Sequence, residues 1–207
     1  ASIVIDVSGS MGEGGKLEAA RKLLVFYSEL FARISKAFGY IRFSIHIFSD
    51  TPIKIKGFEH DYDSPDRYDF DDSTRSTVKV RLMQAMHTRG GTNMLDAIKQ
   101  AAKELTEETF NFSDHASALY FAGDGGDTCG NAANIRTFLN TNDKEHGFGE
   151  HMYSAVMLGD QSQKAELDAI FGAEHTTVAQ DFDTLVDESM ARFDDDITFY
   201  MQNKMES

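Results

Sequence analysis

Asp6, Ser8 and Ser10 stand at alternate positions of Asp6-Val7-Ser8-Gly9-Ser10, a spacing that turns three oxygen-bearing side chains the same way in near-extended backbone. Gly9 lets the chain curl over them. Two later clusters again pair a small oxygen donor with glycine, Gly90-Gly91-Thr92 and Gly123-Asp124-Gly125. Asp6, Ser8, Ser10, Thr92 and Asp124 together offer hydroxyls and carboxylates, with no nitrogen or sulfur. That set suits a hard divalent cation, Mg2+ first with Mn2+ and Ca2+ as alternatives, and suits zinc, copper or iron poorly.

The elements around these clusters are readable from periodicity. Ser2-Ile3-Val4-Ile5-Asp6-Val7 reads as a buried strand, and Leu17, Ala20, Leu24, Tyr27, Phe31, Ile34 and Phe38 share one face of a long helix starting at Lys16. Ile41, Phe43, Ile45 and Ile47 alternate with polar residues. After the turn residues Ser49-Asp50-Thr51-Pro52 comes a short Ile53/Ile55 strand whose Lys54 and Lys56 mark it as an edge. Met94, Leu95, Ile98, Ala102 and Leu105 predict a helix entered through Gly90-Gly91-Thr92. Ala118–Ala122 is an unbroken apolar run, as a strand covered on both faces requires. Beyond it the pattern predicts a helix near 131–141, a strand near 153–158, a helix near 163–171, a strand near 175–178, and a last helix from Asp183 presenting Val186, Met190, Phe193, Ile197 and Tyr200. Alternating elements of this kind make an α/β, doubly wound sheet, and in such sheets ligands gather where the carboxyl ends of neighbouring strands diverge. All three polar clusters follow core elements.

Length and composition narrow the field. The 207 residues fit one domain, 1–207, and a strand beginning at the second residue with no charged leader is expected of a domain excised from a larger protein. Lys and Arg number 20 against 34 Asp and Glu, a net charge of −14 that repels phosphate backbones and anionic headgroups, so nucleic acid is not an expected partner. No run of about 18 apolar residues suggests membrane insertion. Residues 59–72 hold seven carboxylates with no helical period, and an exposed acidic insertion is expected over 59–77.

Asp-Val-Ser-Gly-Ser, a later Gly-Gly-Thr and a strand-terminal Gly-Asp-Gly resemble the metal-ion-dependent adhesion site of von Willebrand factor A domains, also called integrin I-like domains. The order and spacing fit over essentially the whole chain. The resemblance implies a Rossmann-like, mostly parallel six-stranded sheet with one antiparallel edge strand and helices on both faces. It implies direct metal contacts from Ser8, Ser10 and Thr92, with Asp6 and Asp124 acting through water or hydrogen bonds. It also implies a non-catalytic interaction module that binds an Asp or Glu of a protein partner, within an assembly such as an AAA+ ATPase or chelatase-type complex or a surface adhesin. The cytoplasm is the favoured location, an extracellular or cell-surface one the alternative. The chain departs from many relatives in Gly123-Asp124-Gly125-Gly126-Asp127, where Asp127 either joins the ion or, the favoured reading, caps the next helix.

Other readings compete at each position. The Asp6 cluster could be a helix cap for α-helical residues from Lys16, and Gly12–Lys16 superficially suggests a phosphate loop, but Ser10 and Leu17 stand where that motif needs Gly and Ser or Thr. Cys129 and Arg136 are separated by one residue too many for a phosphatase loop, and the seven histidines lack zinc-hydrolase spacing. The competing function class is a Mg2+-dependent hydrolase or phosphotransferase using Asp6 or Asp124. A phosphotransferase of the haloacid dehalogenase kind would want a second Asp where Ser8 stands.

Overall fold

Apolar residues at every position of a strand demand cover on both faces, and the chain supplies it. The computed structural model describes residues 1–38, 44–55, 72–107, 118–126, 132–146, 153–159, 161–181, 183–191, 194–195 and 198. Its strands are β1 (Ser2–Asp6), β2 (Ser44–Phe48), β3 (Pro52–Lys54), β4 (Leu119–Gly123), β5 (Tyr153–Leu158) and β6 (Thr176–Ala179). They form one sheet in the order β3-β2-β1-β4-β5-β6, parallel throughout except for the antiparallel edge pair β2–β3. The doubly wound α/β expectation holds, including the antiparallel edge.

The helices are α1 (Lys16–Phe38), α2 (Asp72–Ala85), α3 (Met94–Glu107), α4 (Ala132–His146), α5 (Lys164–Phe171) and α6 (residues 183–191). Alternation along β1 sends Ile3 and Ile5 into one apolar layer with Leu23, Leu24, Tyr27 and Phe31 of α1, Leu82 of α2 and Leu185 of α6. Val4 goes to the other layer with Met94 and Ile98 of α3, Ile135 of α4, and Ile170 and Phe171 of α5. Each fully buried Leu, Ile or Phe contributes about 1.5–3 kcal/mol relative to exposure, so these two layers are the main source of the fold's stability. Among the described residues no helix is long and apolar enough to cross a membrane.

Three details depart from the sequence pattern. The polar positions of the alternating segment, Ser44 and His46, are buried like their apolar neighbours, and Ser44 Oγ lies 2.9 Å from Ser2 Oγ and 3.2 Å from His46 Nε2. Hydrogen bonding between the polar side chains of β1 and β2 lets that face be covered. Helix α2 begins at Asp72, so the last residues of the expected 59–77 insertion are helical, while 56–71 lie outside the described residues. Among the described side chains of α2 only Leu82 is fully buried, Val80 and Met83 being 52% and 48% exposed, which is why no apolar stripe announced the helix. On α6 the buried positions are Leu185 and Ser189, with Val186 and Met190 half-buried. Phe193, Ile197 and Tyr200, like Asp127 and Cys129, lie outside the described residues, as do the side chains of Ile34, Phe38 and Leu105.

Candidate functional site

The strand order changes direction between β1 and β4, since β1 is followed by β2 on one side and the chain later returns to place β4 on the other. The loops leaving these two carboxyl ends therefore diverge, and Asp6 and Asp124 stand at them. The strands approach closely there. A Cβ on Gly123 would meet Asp6 Cβ at 2.8 Å and Phe121 Cζ at 3.0 Å, so only glycine fits.

Asp6 is fully buried, and its Oδ1 accepts the Ser8 backbone N–H at 2.7 Å. Ser8 and Ser10 hydroxyls lie 3.1 Å apart, and the Ser10 hydroxyl donates to Asp124 Oδ1 at 3.0 Å. One hydrogen-bonded chain thus runs from Asp6 through Ser8 and Ser10 to Asp124. The helix-cap reading of this cluster fails geometrically: the segment Gly9–Gly12 is a short 3-10 turn, Ser8 makes no side-chain cap bond to it, and α1 starts later at Lys16.

Thr92 arrives on the loop before α3, and backbone bonds pin that loop to the first. Arg89 N–H donates to Val7 O at 3.0 Å and Gly9 N–H to Gly90 O at 3.3 Å, while Asn93 N–H reaches Ser49 O at 2.7 Å. Thr92 is only 3% exposed. The structure therefore brings the loops of all five residues to one end of the sheet.

Burial pushes the Asp6 carboxyl up to about 7, because desolvation penalises its charge more than the Ser8 hydrogen bonds favour it, with repulsion from Asp124 adding and attraction to Lys16 opposing. Its Oδ2 has no hydrogen-bond partner among the described residues. A buried carboxylate oxygen left unsatisfied costs free energy that a cation, directly or through bound water, would recover. By this test the donor set fits a hard divalent ion. No group of three or more His, Cys, Asp or Glu side chains clusters among the described residues.

Two residues escaped sequence reasoning. Asp50 sat in what reads as a plain turn, yet its Oδ1 accepts the Gly91 N–H at 2.7 Å, and a Cβ on Gly90, whose φ is +60°, would run into its carboxylate. Asp50 thus holds the Thr92 loop. Asp50→Ala is expected to speed amide exchange of residues 89–93 by about tenfold, the loss of a charge-assisted bond of roughly 1.5 kcal/mol, with β4 amides unchanged. Equal exchange in both proteins, read by NMR, would show that the loop holds itself. Lys16 is the other: its Nζ donates to Asp124 Oδ2 at 2.8 Å. A signal for it existed, since lysine at the first position of a helix opposes the macrodipole and needs a tertiary reason.

A family model described as von Willebrand factor type A domain matches residues 2–126, a span that contains all five residues. No curated protein matches. Among solved structures, proximal thread matrix protein 1 from the mussel byssus, with a zinc-occupied MIDAS motif, aligns with TM-score 0.62 at 16% identity over 93% of this chain and 44% of that one. Manganese-loaded TRAP protein of Plasmodium vivax aligns with TM-score 0.65 at 16% identity over 92% and 70%. The pilus adhesin SpaC of Lactobacillus rhamnosus GG, in an open conformation, aligns with TM-score 0.66 at 13% identity over 95% and 30%. This chain spans less than half the length of the mussel thread protein.

Proposed function

We propose, from the premise that this chain belongs to the von Willebrand factor type A domain family, that it is a divalent-metal-dependent protein-interaction module whose metal is held by Asp6, Ser8, Ser10, Thr92 and Asp124. The observation that carries this reading is the buried, unpartnered Oδ2 of Asp6 at the head of a hydrogen-bonded chain that ends on Asp124. The zinc and manganese that two structural neighbours carry support a divalent ion in general, and Mg2+ is our assignment from the all-oxygen donor set.

When bound, such an ion would supply an electrophilic position able to accept a carboxylate oxygen. The protein's own part is positional. Neutral hydroxyls of Ser8, Ser10 and Thr92 leave more of the charge uncompensated than carboxylate ligands would, and the strand ends hold the two aspartates behind them. The partner we infer is a protein presenting an Asp or Glu, within a larger assembly of the adhesin or AAA+ ATPase kind. With a net charge of −14 the domain's own field disfavours the acidic group at long range, so attraction for that group is confined to the site itself.

Burial argues against Asp6 as a phosphotransfer nucleophile, since in-line attack needs an approachable oxygen and this side chain is fully enclosed. We therefore favour binding over catalysis. Calorimetric titration of Mn2+ into chelator-stripped protein is expected to give one saturable site, weakened by about tenfold or more in Ser8→Ala and Ser10→Ala. A peptide carrying one Glu should then bind in Mn2+ but not in chelator, and its Gln counterpart in neither. Mn2+ affinity indifferent to both serine substitutions would sink the assignment.

A further inference from the structure

The cation nearest the proposed site belongs to the chain itself. Lys16 Nζ lies 2.8 Å from Asp124 Oδ2, with the Lys16 side chain 23% exposed and that of Asp124 6% exposed. Asp124 Oδ1 is already engaged by the Ser10 hydroxyl, so the ammonium takes the remaining oxygen of a carboxylate that the proposed site needs. The approach is accommodated from the far side of the crevice. Gly159, just beyond β5, has φ +110°, and a Cβ there would come within 3.0 Å of Lys16 Cε. The absence of a side chain at 159 leaves room for the lysine stem to reach across.

This arrangement has an electrostatic consequence. Asp6 and Asp124 bring two carboxylates to one crevice, and the ammonium offsets their mutual repulsion when no other cation does so. A divalent ion approaching the same carboxylates meets a like charge and must also break a half-buried ion pair. Lys16 retains enough exposure to swing its flexible stem into solvent and release Asp124.

We propose that Lys16 is a tethered competitor of the divalent ion: it neutralises Asp124 in the metal-free protein and yields it when the ion binds, holding metal affinity below what the five oxygen-bearing residues alone would provide. The proposal rests on the reading of the site given above. Its regulatory meaning is a threshold: the module is stable without metal yet engages it only when the ion is abundant or a partner carboxylate adds its own bond.

The test is Mn2+ calorimetry on stripped parent protein, Lys16→Met, which keeps the stem and removes the charge, and Lys16→Arg, which keeps the charge. Lys16→Met is expected to bind Mn2+ about tenfold more tightly, and Lys16→Arg to stay within about threefold of the parent. The gain should vanish when Lys16→Met is made in an Asp124→Asn background, because the competition acts through that carboxylate. In chelator, Lys16→Met should melt below the parent, and saturating Mn2+ should close the gap. Should Lys16→Met not fold in chelator, Lys16→Gln, which still hydrogen-bonds Asp124, carries the same expectation. Unchanged or weaker Mn2+ binding in the neutral variants overturns the proposal and makes Lys16 a residue that merely positions Asp124. If the parent binds Mn2+ through Ser10 and the neutral variants gain nothing, only this inference falls. If neither parent nor neutral variants bind Mn2+ saturably, the site assignment falls and takes the inference with it.

Discussion

Asp6→Asn is expected to abolish saturable Mn2+ binding, a loss of at least about a hundredfold, and at the same time to stabilise the metal-free protein at pH 8. The two effects have one cause. A carboxylate enclosed between strand ends, with one oxygen unpartnered, is held charged at a cost that only a bound cation repays. Asparagine keeps the acceptor for the Ser8 N–H and removes the charge. The sign follows from linkage. The Asp6 carboxyl rises from 3.8 to about 7 on folding, so between those values the native state holds a proton the unfolded chain has lost. Stability from this group therefore falls as pH rises from about 4 to about 7, opposite to the usual paired carboxylate. Above that window the cost is on the order of 4 kcal/mol, partly offset in the variant by an unsatisfied amide N–H. Chemical denaturation in chelator at pH 5 and pH 8 reads this directly: Asp6→Asn should gain on the parent as pH rises. A variant that loses stability at pH 8, or that still binds Mn2+ as the parent does, would remove Asp6 from the role given to it.

Phe121→Ala is expected to destabilise the domain by about 3–5 kcal/mol, a large share of what a single domain possesses. Phe121 lies in the middle of β4, 1% exposed, with its ring centroid 5.8 Å from that of Phe48 and 5.4 Å from that of Phe171. Removing the ring opens a cavity beneath α3 and α5 that neighbouring strands cannot close, because parallel pairing on both sides of β4 holds their register. Urea denaturation with metal present and absent gives the figure, and a loss under about 1 kcal/mol would mean the layer repacks. Phe121→Leu should cost far less, since most of the volume is kept.

Much of the architecture was legible because burial imposes periodicity. The apolar run 118–122 became β4, the stripe from Leu17 to Phe31 became the inner face of α1, and the Lys54-bearing segment became the antiparallel edge. The type of site was legible for a different reason: small hydroxyls and carboxylates beside glycines, each just past a core element, narrow the chemistry whatever the exact geometry. Helix α2 was not legible. Its inner face has Leu82 fully buried with Val78 and Ala85 only partly so, and its position is secured in part by Arg75, whose Nη2 donates to Glu29 Oε2 of α1 at 2.9 Å. An ion pair between helices leaves no periodic trace in either sequence.

The division between the two sources of information follows the range of the interactions. Side-chain type and local spacing, which depend on neighbours within a few residues, determined the order of the strands and of every helix but α2, the two-layered core and the oxygen-donor character of the three clusters. Only the tertiary structure decided which groups meet. It set Asp6 against Gly123 across the β1–β4 switch, gave the Thr92 loop to Asp50, and carried Lys16 across to Asp124, 108 residues away in sequence. Charge pairing across such distances depends on where the parallel strands end relative to one another. That relation is created by folding and is written in no single segment of the chain.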